Sequence, residues 1–153
     1  MTHIVAQTMR ASLLVSNQFK KLHSVGTLIA RIYIAQVFFM AGLTKVASWE
    51  TTLFLFEEEY QVPLLAPELA AVLGTFGELC FPILLFLGLA TRFSALGLFV
   101  VNIVAVISLE SIAPAALYLH VIWGILLLQL TIYGGGMFTL DTLVTKSKHA
   151  THR

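Results

Sequence analysis

The sequence predicts an all-α fold: an integral membrane four-helix bundle with N- and C-termini on the cytoplasmic side. Three observations carry this. Of the 153 residues, 58% are hydrophobic and only 11% are charged, less than half the ~25% usual in a soluble domain. The apolar residues gather into four runs, each close to the ~20 residues that cross a bilayer core. The charges outside those runs separate by sign from loop to loop.

Residues 1–24 form a basic N-terminal segment, with Arg10, Lys20 and Lys21 set among Met9, Leu13, Phe19 and Leu22. It reads equally as an amphipathic helix on the inner leaflet or as a loosely ordered tail. The first span covers Val25 to Val46. An outer loop of about twenty residues follows, with Trp49, Phe54, Phe56 and Tyr60 suited to the membrane interface and Glu57–Glu59 facing water. Pro63 and Pro67 end any short helix there and lead into the second span, Glu68 to Ala90, which Pro82 should kink. The third span runs from Phe93 to Leu109 and the fourth from Ala115 to Tyr133. Residues 25–143 thus form the membrane domain, and 144–153 a basic tail.

Arg10, Lys20, Lys21, Arg92, Lys146, Lys148 and Arg153 fall on one side of this layout. Glu50, Glu57, Glu58, Glu59 and Glu110 fall on the other, with Lys45 near its boundary. Basic loops stay in the cytoplasm, which sets the orientation. Net charge is +1, which gives no reason to expect a nucleic-acid partner. No signal peptide is expected, because the first strong apolar run starts too late. The lone Cys80 rules out an intrachain disulfide or a CxxC pair.

Charged groups at mid-span cost ~2.5–3.5 kcal/mol each even on cautious insertion scales, so their placement is informative. Glu78 falls near the midplane on the second span, Asn102 at similar depth on the third, and Gln36 on the first. Arg31 and Gln129 lie nearer the inside; Lys45 and His120 lie nearer the outside, with Glu110 at the outer mouth. Arg31, Phe38 and Lys45 are seven apart and share a stripe beside Gly42, so that stripe should face the bundle interior. Glu78 then has a cation above and one below. The cluster Arg31, Lys45, Glu78, Asn102, Glu110 and His120 reads either as a network fixing helix register or as a ligand, proton or quinone-headgroup site. Trp49, Phe56 and Tyr60 would form its outer roof, or a lipid-anchored cap. Cys80 and Met40 are candidate soft partners of His120 for copper, but no HxxxH or MxxxM pair supports a metal, and none is expected. Gly134–Gly136 ends a helix rather than holding phosphate, and Asp141 is expected to cap a short helix after it.

The first span reads Arg31-x6-Phe38-x3-Gly42-x2-Lys45. The second holds Gly74-x2-Gly77-Glu78-Leu79 and then Leu87-Gly88-Leu89-Ala90-Thr91-Arg92. The fourth is followed by Gly134-Gly135-Gly136-Met137-Phe138-Thr139-Leu140-Asp141. In that order, over residues 25–143, these resemble the DoxX family of small four-helix bacterial membrane proteins. The family's GPGxxSLD-like run has proline where this chain has Gly135, and serine where it has Thr139. The outer loop resembles a subgroup encoded beside DUF692-type proteins linked to metal handling.

The resemblance implies a bacterial cytoplasmic (inner) membrane protein, multi-pass, set in a redox or metal-stress system. Relatives include the DoxD-type subunit of a thiosulfate:quinone oxidoreductase and a member of a membrane complex with antioxidant enzymes. The expected role is a non-catalytic membrane partner of an oxidoreductase, with a quinone-sized cleft near Glu78. At most it is a membrane subunit of a quinone-linked enzyme. Its partners would be the lipid bilayer and a protein of that complex, with a homo-oligomer left open. The alternative is a small proton-coupled transporter using Arg31, Glu78 and His120.

Overall fold

The computed structural model describes residues 2–142, with side chains for residues 18, 19 and 21 onward; the basic tail beyond lies outside the described residues. Five helices follow in order: α1 (Thr2–Ala47), α2 (Trp49–Glu58), α3 (Pro67–Leu87), α4 (Thr91–Ile107) and α5 (Pro114–Tyr133). No strand occurs among the described residues; an isolated antiparallel bridge joins Tyr60 to Leu109.

Residues 3–23 are helical and run into the first span without a break, so the loosely ordered tail is not what forms. Neither Ser24 nor Gly26 interrupts the ladder. The 46 residues of α1 span ~69 Å at 1.5 Å per residue, about twice the hydrocarbon thickness. Its apolar part is Lys21–Ala47. That stretch, α3 and α5 are long and apolar enough to cross a membrane. The apolar α4 has 17 residues, or ~26 Å, slightly less than the core. The second span remains one helix across Pro82, which is buried in it.

The loop between the first two spans folds into α2. Its helix stops at Glu58, well before Pro63, so proline is not what ends it. The chain instead pairs across to the α4–α5 connection, with the Gln61 amide donating to the Ser108 carbonyl at 2.7 Å. Pro67 takes the first turn of α3, where its missing N–H costs nothing.

α1 packs on α3, α3 on α4, and α4 on α5, while α5 closes more lightly onto α1; α2 lies against α3 and α1. Lys21 and Arg92 therefore share one end of the bundle. Glu50, Glu57–Glu59 and Glu110 share the other. The core consists of Ala30, Ile34, Phe38, Leu85, Ala95, Leu98, Leu127 and Leu130. Large apolar side chains such as Ile29, Phe76, Phe93 and Ile125 stay more than half exposed. On a water-soluble protein that would be an adhesive surface; against acyl chains it is the solvent contact.

Lipid supplies no hydrophobic drive between helices, so close approach at small residues does much of the fastening. The Phe81 ring of α3 sits on Gly97 of α4. Gly42 of α1 faces α3 so closely that a Cβ there would lie 2.8 Å from Leu79 Cδ2 and 3.1 Å from the Glu78 backbone. A Cβ at Gly26 would meet nothing within 4 Å. Gly42→Ala should therefore cost about 1–3 kcal/mol by overpacking, while Gly26→Ala is neutral or better. Unfolding in mixed detergent micelles checks this; equal effects at the two positions would contradict the close α1–α3 contact.

Candidate functional site: three polar groups within the bundle

Arg31 sits where α3 ends. Gly88 adopts φ +71, its amide donates to the Leu85 carbonyl at 3.1 Å, and the Leu89 amide donates to Leu84 at 2.9 Å. This left-handed turn leaves carbonyls of the last turn with acceptor capacity to spare. Arg31, 1% exposed, fills it. Its Nε donates to the Leu85 carbonyl at 2.8 Å and its Nη2 to Phe86 at 2.7 Å. Its Nη1 donates to Phe138 at 2.6 Å and, more weakly, to Gly135 at 3.4 Å. A cation here also meets the negative end of the helix dipole. A Cβ on Gly88 would lie 2.5 Å from Nη2, so this position needs glycine for both space and conformation.

The run after α5 is folded over this guanidinium. Gly134 and Gly136 have φ of +79 and +76. The Asp141 carboxylate accepts from the backbone amides of Ala90 at 2.9 Å and Thr91 at 3.1 Å. Asp141 therefore caps α4 from across the bundle, not a helix of its own; the Thr139 hydroxyl accepts the Thr142 amide at 3.1 Å and caps the turn that follows. The sequence favours the local cap because Thr139 and Asp141 stand two positions apart, and the distant amides become visible only in three dimensions.

The second group joins α1 to α3. Lys45 Nζ lies 2.6 Å from Glu78 Oε2, with the lysine side chain 23% exposed and the glutamate 9%. Glu78 thus points inward to α1, paired with Lys45 and not with Arg31. The Thr52 hydroxyl of α2 donates to the Lys45 carbonyl at 2.9 Å. Phe56 lies over Gly74, packs with Ala70 and Ala71, and meets the Tyr60 ring edge-on at 5.0 Å. Burial, with the Glu59 and Glu78 carboxylates nearby, pushes the Tyr60 phenol above its ordinary pKa. The buried Thr75 hydroxyl has no hydrogen-bond partner among the described residues.

The third group joins α4 to α5. Asn102 Nδ2 donates to the His120 carbonyl at 2.9 Å, and Asn102 Oδ1 lies 2.8 Å from His120 Nδ1. Both residues border a groove of about 330 Å³ between the two helices, open sideways and lined otherwise by Phe99, Ile103, Leu117, Val121 and other apolar residues. The His120 ring stands edge-on to Trp123 at 4.9 Å, and Trp123 Nε1 donates to the Tyr33 hydroxyl at 3.1 Å.

The expected single cluster is therefore divided. Glu78 turns toward α1 and Asn102 toward α5, and the α3–α4 seam between them is closed by Gly77 against Val101. The floor shared by Glu78 and Asn102 does not form. Glu110 is exposed in the α4–α5 connection, apart from both pairs. Of the three roof residues, Phe56 and Tyr60 come together, while Trp49 stays exposed at the start of α2. Gln36 is exposed on α1 and borders a second groove with Phe39 and Pro82. Cys80 is free and half-buried. No three His, Cys, Asp or Glu residues gather for a metal among the described residues.

Residues 26–111 match the family model described as DoxX. The chain belongs to the DoxX family. An uncharacterized protein of Haemophilus influenzae is 33% identical over 131 residues, which is 80% of this chain and 85% of that relative. No solved structure matches. The DoxX match, together with the apolar helices, makes this a membrane protein. It takes in Arg31, Lys45, Glu78 and Asn102 but stops before α5 and the glycine run.

Two outcomes test these contacts. Glu78→Ala should leave Lys45 as a half-buried unpaired cation and cost up to about 3 kcal/mol; adding Lys45→Met should recover part of the loss in a double-mutant cycle. Strict additivity would mean the pair is not formed. The second concerns the glycine run. A Cβ at Gly135 would collide with Thr139 Cγ2, the methyl that separates threonine from serine. Gly135→Pro should destabilise the fold by about 1–3 kcal/mol, and Gly135→Pro with Thr139→Ser should restore part of it, since the Cβ also comes within 2.9 Å of Thr91 Oγ1. Thermal melts of the two variants in detergent decide this; an equal loss in single and double variants would show the two positions to be independent.

Proposed function

We propose that this DoxX protein is a non-catalytic membrane partner of an oxidoreductase acting in redox or metal stress, and that it lends its partner a groove for a quinone ring. The observation that carries this is the α4–α5 groove: about 330 Å³, apolar along its walls, and edged by the paired Asn102 and His120. That volume lies at the lower end of small-molecule sites, which are typically lined by apolar side chains with a few placed polar groups. The resemblance to a subunit of a thiosulfate:quinone oxidoreductase supports a quinone occupant. The outer-loop resemblance to members encoded beside DUF692-type proteins supports the stress setting.

The polar groups argue against the second reading, a proton-coupled transporter using Arg31, Glu78 and His120. Arg31 is held by main-chain carbonyls, Glu78 by Lys45, and His120 on its Nδ1 side by Asn102, and no hydrogen bond among the described residues links one group to the next. Phe56 is 7% exposed and packed as core, which supports the cap reading of α2.

The charge pattern supports an orientation with both termini cytoplasmic, in the inner membrane, with α2 facing outward. Reporter fusions at Arg153 and within residues 50–60 should give opposite signals, and a periplasmic signal at Arg153 would overturn it. Purification in mild detergent should bring an oxidoreductase and extractable quinone along with the chain. The isolated chain should show neither turnover nor solute flux; either activity would overturn the partner role.

A further inference from the structure

Asn102 and His120 fix each other's chemistry. A backbone carbonyl can only accept a hydrogen bond, so the amide atom 2.9 Å from the His120 carbonyl is the Asn102 NH2 group. The other amide atom, Oδ1, then faces His120 Nδ1 at 2.8 Å. An amide oxygen also only accepts, so Nδ1 carries the proton. In the neutral ring Nε2 is then a bare nitrogen with an open lone pair. The Trp123 contact holds the ring in place from a second side. No hydrogen bond reaches Nε2 among the described residues, and it is not sealed in the protein, since the Thr75 hydroxyl is the sole unpartnered buried atom there.

His120, which carries this acceptor, lines a groove whose other residues besides Asn102 are apolar. Acyl chains carry no donor, and lipid ester carbonyls only accept. A quinone carries carbonyls, which meet Nε2 lone pair to lone pair. Its two-electron-reduced form carries ring hydroxyls, which donate. We propose that His120 Nε2 is the acceptor for a ring hydroxyl, so that the groove holds the hydroquinone form of a lipid-soluble quinone in preference to the oxidised form. This rests on the groove being a quinone site, and adds which redox state it selects and which atom selects it. Asn102 acts as the positioning residue, since it holds the proton on Nδ1 and the lone pair on Nε2.

The test uses the full chain in lipid nanodiscs, labelled with 15N-histidine, under anaerobic conditions. Three probes share one ring: duroquinol, duroquinone and the dimethyl ether of duroquinol, which lacks the donor. The His120 signal is the one lost in His120→Phe, or in His120→Gln if the first variant fails to fold. The expected result is a bare, pyridine-type Nε2 in the free protein, shifted by duroquinol at about one-tenth the membrane concentration needed for either other probe, the discrimination expected of one net hydrogen bond. An Nε2 already protonated in the free protein would overturn the proposal. Equal response to all three probes would overturn it too, while leaving the groove as a quinone site. No response to any probe would remove both readings.

Discussion

An arginine guanidinium held away from water must find acceptors for a planar fork of N–H groups, and in a small apolar bundle acceptors are scarce. Arg31 meets this constraint at one of the places a helical protein has carbonyls to spare, the C-terminal turn of α3. Once the guanidinium lies there, much else is set. α1 is fixed in height and rotation against α3. The chain after α5 must return to the same point so that its Phe138 carbonyl completes the set. That return brings Asp141 onto the first amides of α4. One buried side chain thus coordinates α1, α3 and the segment after α5, and indirectly α4.

The remaining fastenings are spread one to each helix seam. Lys45–Glu78 and Gly42 hold α1 to α3, the Phe81 ring on Gly97 holds α3 to α4, and Asn102–His120 holds α4 to α5. The lighter α5–α1 contact has Trp123 bonded to Tyr33. Each polar contact answers a local cost, because a polar group facing lipid must be satisfied within the protein. This distribution explains why residues of similar depth do not converge on one centre: each is drawn to the helix it fastens.

The spans, the interior stripe through Arg31, Phe38 and Lys45, and the inward turn of Glu78 are legible in the sequence. They follow from hydropathy, from a seven-residue spacing and from the cost of a carboxylate in lipid. The partner of Arg31 is not, because charge reasoning looks for carboxylates and the acceptors are main-chain atoms. The available signal was Gly88, a helix-ending glycine whose turn leaves carbonyls free. The Asn102–His120 pair was also within reach. Asn102 lies five residues before the end of α4 and His120 six after the start of α5, so an antiparallel hairpin sets them level. The end of α2 is not legible, because the chain after Glu58 pairs with residues 108 and 109, a contact no local pattern encodes.

The return of the chain to Arg31 also bears on the order of synthesis. The guanidinium and its Phe138 acceptor are separated by 107 positions. At ~5–20 residues per second the acceptor emerges roughly 5–20 s after the arginine. The Leu85 and Phe86 carbonyls come about halfway through that interval. During insertion the nascent first span therefore carries an incompletely satisfied cation until the segment after α5 has been made. Closure of the bundle waits for the segment after α5, the turn that seals the first span in place.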